Sequence, residues 1–223
     1  MQHRRRFALL ALTMALCATS QSTAQAQIAA EKHDEKVPPE LPAAIAPMIA
    51  PGGVRATAGP ASIDFWLVKQ MPVRPGSAAP SWGDVEEGTL VGAVRLSAGY
   101  KDIRGRTIKP GVYTLRYAVQ PANGDHLGVS PFRGFVLLSP AALDTDAAPR
   151  GHEGTIAISI RAVGGSHPAV WSIDPPSTIE AVLSKHSTEL GHQSVVVEVP
   201  AARGGKPAGA LRFGIVLVGK IDA

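Results

Sequence analysis

Short runs in which apolar and polar side chains alternate every second residue, each cut off by proline or glycine, recur along this chain and restrict it to a β-sheet fold. The clearest spans Lys109 to Pro140, KPGVYTLRYAVQPANGDHLGVSPFRGFVLLSP. Pro110-Gly111 is turn chemistry, because proline fixes φ and glycine is free to take φ > 0. Beyond it Val112, Thr114, Arg116 and Ala118 share one side of a strand, and Tyr113, Leu115, Tyr117 and Val119 the other, which is the side expected in the core. Pro121 has no N–H to continue a ladder, and Asn123-Gly124-Asp125 tolerate a left-handed turn. Phe135 to Leu138 reads as the return strand. Between them, His126 to Phe132 forms a loop longer than a tight hairpin needs, and such loops on a rigid sheet often carry binding side chains.

The same alternation marks Ser62–Met71, Leu90–Ser97 and Thr155–Ala162, the last with Ile156, Ile158 and Ile160 inward. It recurs at Val170–Asp174, Ser194–Val199 and Leu211–Gly219. Leu211–Gly219 is apolar on both sides, which predicts a central strand. Tyr100 to Thr107 carries Lys101, Arg104 and Arg106, is followed by Lys109, and reads as an edge strand or loop kept soluble by charge. Pro72 to Gly88 reads as a long surface loop, and Ser177 to Lys185 as one or two helical turns. The pattern predicts an all-β chain, an antiparallel β-sandwich of about eight strands, with a partly closed β-barrel as the alternative.

Residues 1–26 read as a cleaved export signal. Arg4-Arg5-Arg6 precede a 12-residue apolar stretch, Phe7 to Ala18, and Ala24-Gln25-Ala26 is the small-x-small pattern cut by signal peptidase. The apolar stretch falls well short of the roughly 20 residues that cross a bilayer as a helix, so no transmembrane segment is expected in the mature chain. Arg4-Arg5-Arg6-Phe7 also resembles a twin-arginine signal, although the short basic region and leucine-rich core favour the general secretory route. The expected location is the periplasm or the cell exterior. Residues 27–60 hold prolines at 38, 39, 42, 47, 51 and 60 and read as an extended tether, leaving 61–223 as a single sandwich domain.

Removing residues 1–26 takes away three arginines and leaves 19 basic against 18 acidic residues. That near-neutral balance gives no electrostatic case for nucleic acid. It also removes Cys17, the one cysteine, which Leu16 makes a poor lipid-anchor site. Disulfides, thiolate metal sites and cysteine catalysis are thereby excluded.

The familiar catalytic motifs are missing: no G-x-S-x-G, P-loop, G-x-G-x-x-G or H-E-x-x-H occurs. Three aromatic residues, Trp82, Tyr100 and Phe132, fall in predicted loops and, with Asp125 and His126, make the candidate ligand-binding set. No cofactor is expected. The alternative is a copper or zinc site built on imidazoles, either His126 with Asp125 or His186 with His192, the latter pair meeting across a turn at Gly191. His33-Asp34-Glu35 reads as part of a solvated tail, and Asp144-x-Asp146 lacks the glycine and closing glutamate of a calcium loop. A second alternative, a carboxylate-based hydrolase acting on glycans, requires two of Asp84, Glu86, Asp125, Asp144, Asp146 and Glu153 to lie about 5–10 Å apart in one cleft.

The run Lys109-Pro110-Gly111-Val112-Tyr113-Thr114-Leu115 resembles the P-G-x-Y-x-L hairpin of secreted bacterial β-sandwich proteins of unknown function, and of prealbumin-type modules. The resemblance implies a sandwich fold and an envelope location, and no activity. With no catalytic motif in the sequence, the expected function is a non-catalytic module that binds an envelope ligand or protein.

Overall fold

The computed structural model describes residues 28–58, 61–76, 78–121, 132–175, 180–188 and 191–219. Its strands are β1 (Ile28–His33), β2 (Gly53–Ala58), β3 (Ala61–Leu67), β4 (Met71–Pro72), β5 (Leu90–Leu96), β6 (Tyr100–Lys101), β7 (Thr107–Ile108), β8 (Gly111–Val119), β9 (Gly134–Pro140), β10 (Ala169–Asp174), β11 (Lys185–Ser187), β12 (Gln193–Arg203) and β13 (Lys206–Val218). Among the described residues one α-helix, α1 (Gly151–Val163), lies between β9 and β10.

The chain is all-β in the sense expected, with a single curled sheet as its frame. The strand order is β1-β2-β3-β5-β8-β9-β10-β13-β12-β11, and β4 joins β12 in the one parallel pairing among the described residues. The sheet bends at β10, where Ala169–Ser172 pair with β9 while Ile173 and Asp174 pair with β13. Two layers therefore face each other as in a sandwich, yet they are joined by hydrogen bonds into a half-barrel. β6 and β7 form a separate small hairpin pinned by the buried Asp102, whose Oδ1 accepts the Arg104 and Arg106 N–H groups.

Between the layers lies the core. Phe65 meets Trp171 edge to face at 5.2 Å, and Leu115, Val136, Ile173, Phe213 and Ile215 fill the surrounding space. The gap left among them is about 10 Å³, at or below the room one water needs, so the half-barrel interior around these residues is packed core. β13 is central, between β10 and β12, as its two apolar sides predict.

The outer face of the first layer departs from the sequence reading. Thr114 and Arg116 were expected to face solvent, but both are fully buried. Residues 141–150 and α1 cover them and bring in Asp144, itself wholly inaccessible. Arg116 gives Nε and Nη2 to Asp144 at 2.7 and 2.9 Å. Its Nη1 donates to the carbonyls of Gly88 (2.7 Å) and Ala148 (2.9 Å), and Nη2 also to that of Asp146. All five guanidinium N–H groups are thus used. Asp144 further accepts from Thr114 Oγ1 and from Arg150 Nε at 2.9 Å.

Thr155–Ala162, predicted as a strand, is helical. Thr155, Ser159 and Ala162 are its buried residues, spaced four and three apart, while Ile156, Ile158 and Ile160 are only half-buried. This small-residue face lets α1 lie close to β9 and β10, and Ser159 Oγ accepts the Ala169 N–H at 3.0 Å. Gly164, in the left-handed conformation at φ 68°, ends the helix with its N–H on Ile160 O.

The reading of 27–60 as a tether is also corrected. β1 and β2 extend the sheet edge, with Ile28 paired to Ala58 and buried. From 34 to 52 the chain folds back over the outer face, where Leu41, Ile45 and Ile49 are buried. Prolines 38 and 42 supply carbonyls that close turns onto Leu41 and Ile45. This segment covers Trp66, whose Nε1 donates to Glu35 O at 3.2 Å and whose ring meets His33 edge-on at 5.0 Å. Of the predicted helical turns at 177–185, residues 177–179 lie outside the described residues, and the remainder is a turn, with Leu183 at φ 68°, leading into β11.

Candidate functional site

A cleft of about 800 Å³ opens where the turn before β5, the start of β9 and the start of α1 meet. Each wall has a local reason. Ser81 N and Oγ both donate to Asp84 Oδ2, at 2.9 and 3.0 Å, which closes a single turn around Trp82 and Gly83. Arg74 is held to that turn through its N–H on Asp84 O and its Nη2 on Gly83 O. The turn from Glu86 to Thr89 is bonded to β8 on both sides of Tyr117: Gly88 N–H donates to Tyr117 O, and Tyr117 N–H to Thr89 O.

Gly88 has φ +86°, and a Cβ there would stand 2.5 Å from Gly151 N, so this turn abuts the first residue of α1. That contact brings His152 onto Glu87. The two share a 2.5 Å bond between Nδ1 and Oε1, and the same oxygen accepts Val119 N–H at 3.0 Å.

Tyr117 forms the floor. Trp82 tilts against it at 5.0 Å and meets Phe213 edge-on, so Trp82 is only 7% exposed and its ring faces are largely occupied by neighbouring rings. Gly134 packs closely beside this floor: a Cβ there would stand 3.1 Å from Tyr117 Oη and 3.0 Å from the Phe132 ring, so both side chains would have to shift. Burial pushes the Tyr117 phenol above its ordinary value. Glu87 adds to that shift, while Arg133 and Arg74 oppose it. The phenol therefore sits among charges of both signs.

Of the residues singled out from sequence, the structure brings Trp82 and Phe132 to this cleft, together with Glu86. Tyr100 is elsewhere. It stacks on Trp171 at 4.6 Å and donates its hydroxyl to the Leu217 carbonyl, and burial pushes its phenol well up. That makes it a packing residue and corrects its place in the ligand-binding set. Asp125 and His126 lie outside the described residues. Glu87, His152, Tyr117 and the two arginines are the residues that sequence reasoning missed, and no local pattern marks them: Glu87 and His152 are 65 positions apart.

His186 and His192 do flank a turn, in which Gly191 N–H donates to Thr188 O. Each faces a different carboxylate, however. His186 Nδ1 bonds Glu180 Oε1 at 2.7 Å, and His192 Nδ1 lies 3.8 Å from Asp174 Oδ1. Among the described residues no three His, Cys, Asp or Glu side chains converge as a metal-ligand set. His33 packs on Trp66, and Glu35 pairs with Arg55 and Arg95, so the 33–35 run is docked rather than a solvated tail. Of the hydrolase carboxylates among the described residues, Asp144 is held by Arg116, Asp84 by Ser81 and Asp146 Oδ1 by the Ala148 N–H, Glu153 is exposed on α1, and Glu86 lines the cleft.

Burial raises the Asp174 carboxyl above its ordinary value, opposed by His192 and His186. A raised carboxyl means that the folded state holds the proton more tightly than the unfolded one. Its contribution to stability is full below the ordinary carboxylate range and is lost as pH rises through the raised value. Asp174→Asn, which stays neutral, is therefore expected to raise the melting temperature at pH 7, with the gain over the native protein shrinking as the pH is lowered toward 4; a calorimetric pH series measures it.

Comparisons with family models, with curated proteins and with solved structures find no match to this chain. The fold and the cleft therefore carry the functional argument by themselves.

Proposed function

We propose that this chain is an exported, non-catalytic binding protein whose cleft above Tyr117 takes a small polar ligand. The observation that carries this reading is the cleft itself. Its volume lies within the roughly 300–1,000 Å³ of small-molecule sites, and it sets an aromatic floor beneath a Glu87–His152 pair and the guanidiniums of Arg74 and Arg133. Such a lining offers donors and acceptors together, and suits a ligand that has both. Export is supported by Arg4-Arg5-Arg6, the apolar stretch that follows them and Ala24-Gln25-Ala26.

The test is a thermal-shift screen of the mature protein against sugars, amino acids, short peptides and dicarboxylates, followed by calorimetric titration of each hit. At least one compound is expected to bind at 1:1 and to lose at least about tenfold in affinity in Glu87→Gln, a loss equivalent to about 1.4 kcal/mol. A panel without hits, or hits indifferent to Glu87→Gln and to Arg133→Gln, would overturn the assignment.

A further inference from the structure

We infer that the floor of the cleft is a subsite for the carboxylate of an amino or hydroxy acid, received by the Tyr117 hydroxyl with the guanidiniums of Arg74 and Arg133. The inference rests on the binding reading above and names the chemical class of its ligand. Tyr117 is 3% exposed, and its Oη has no hydrogen-bond partner among the described residues. Buried hydroxyls are ordinarily satisfied. On the floor of a cleft, the partner is supplied by what enters.

Gly134 keeps the approach to this hydroxyl open. It begins β9 with its φ outside the left-handed range, so its backbone does not call for glycine. What the missing side chain leaves is space. A Cβ there would stand 3.1 Å from Oη and would crowd a ligand oxygen bonded at about 2.7 Å.

The phenol acts as a donor at neutral pH, because burial and the Glu87 charge both raise it further above its ordinary value. Its partner is therefore an acceptor, and the charges around it select which kind. Glu87 Oε1 is already engaged by His152 and by the Val119 N–H. Arg74 and Arg133 each spend Nη2 on a backbone carbonyl, that of Gly83 and that of Gln120. Those bonds hold each fork and leave Nε and Nη1 for a ligand. A planar carboxylate matches a guanidinium fork and has lone pairs to spare for the phenol. Glu86, exposed and lining the same cleft, disfavours a second carboxylate on the ligand and accepts from an ammonium or hydroxyl.

The test uses the mature protein with compounds that differ at the carboxyl group: leucine against leucinamide, phenylalanine against phenylalaninamide and lactate against lactamide, with inorganic phosphate as a second anion. Thermal shift ranks them, and calorimetric titration gives the affinities. At least one acid is expected to bind at 1:1, with its amide weaker by at least about tenfold. Tyr117→Phe keeps the ring and removes the hydroxyl. It is expected to lose at least about tenfold for that acid while melting no lower than the native protein, since no bond within the protein is lost. Arg133→Gln should weaken the acid and leave the amide unchanged. Equal affinity for acid and amide, phosphate bound more tightly than any acid, or full acid affinity in Tyr117→Phe would overturn the carboxylate assignment. A ligand that still depends on Glu87 would then leave the binding reading standing. If nothing in this set or in the wider screen binds, the binding reading falls, and this inference with it.

Discussion

Asp144→Ala is expected to lower the unfolding free energy by about 3–5 kcal/mol, because it strands a buried guanidinium without its counter-charge. Arg116 is fully inaccessible, and three of its five N–H groups would still reach the carbonyls of Gly88, Ala148 and Asp146. Those carbonyls supply dipoles but no charge, so the loss falls on Nε, Nη2 and the net electrostatics. Arg150 and Thr114 lose an acceptor as well. Replacing both partners, as Arg116→Met with Asp144→Leu, removes the unpaired charge and is expected to be less harmful than Asp144→Ala alone. Urea unfolding of the two variants against the native protein tests this ordering. A double replacement as unstable as the single would mean that the pair's worth lies in its geometry rather than in mutual charge compensation.

Gly88→Ala is expected to cost about 3 kcal/mol, near the upper end for a strained left-handed residue, since backbone strain and collision act together. The residue sits at φ +86°, and the added Cβ would meet Gly151 N at 2.5 Å and Arg150 N at 2.7 Å, both backbone atoms that cannot step aside cheaply. The effect should be local first. Hydrogen exchange is expected to accelerate in α1 well before it does in β12 and β13, and ligand binding in the cleft should weaken as His152 moves off Glu87. A variant within 0.5 kcal/mol of the native protein, with α1 amides unchanged, would show that the turn before β5 does not position the helix.

Much of the sheet was legible because alternation is a local property. β5, β8, β9, β10, β12 and β13 each fall where apolar residues recur at every second position between proline or glycine stops. The α1 segment misled because Ile156, Ile158 and Ile160 alternate, while the helical signal lay in the small residues Thr155, Ser159 and Ala162. Glu153 in the first turn, Arg161 in the last and Gly164 just beyond were boundary marks that alternation outweighed. In the supposed tether, Leu41, Ile45 and Ile49 stand four apart, a spacing visible in the sequence but masked by the prolines around it. The burial of Arg116 was not legible at all, since what covers it arrives from 28 residues further along. The cleft shares that property: aromatic residues in loops pointed to Trp82 and Phe132, but the charges around them are assembled by tertiary structure.

Because β10 carries hydrogen bonding from one layer into the other, the described strands form one curled sheet with two borders, β1 and β11, where two separate sheets would have four. Both borders are poor templates for uncontrolled association. β1 exposes Glu31 and Lys32, and β11 is three residues long and begins with an exposed lysine. The flank of β12 next to β11 is taken up by the backbone of Leu183 and Ser184 at Val196 and by β4 at Ala201–Ala202, and the stretch between holds exposed Glu198 and Pro200. A continuous ladder thus gives this strand-rich chain a built-in resistance to aggregation, secured by topology rather than by surface charge alone.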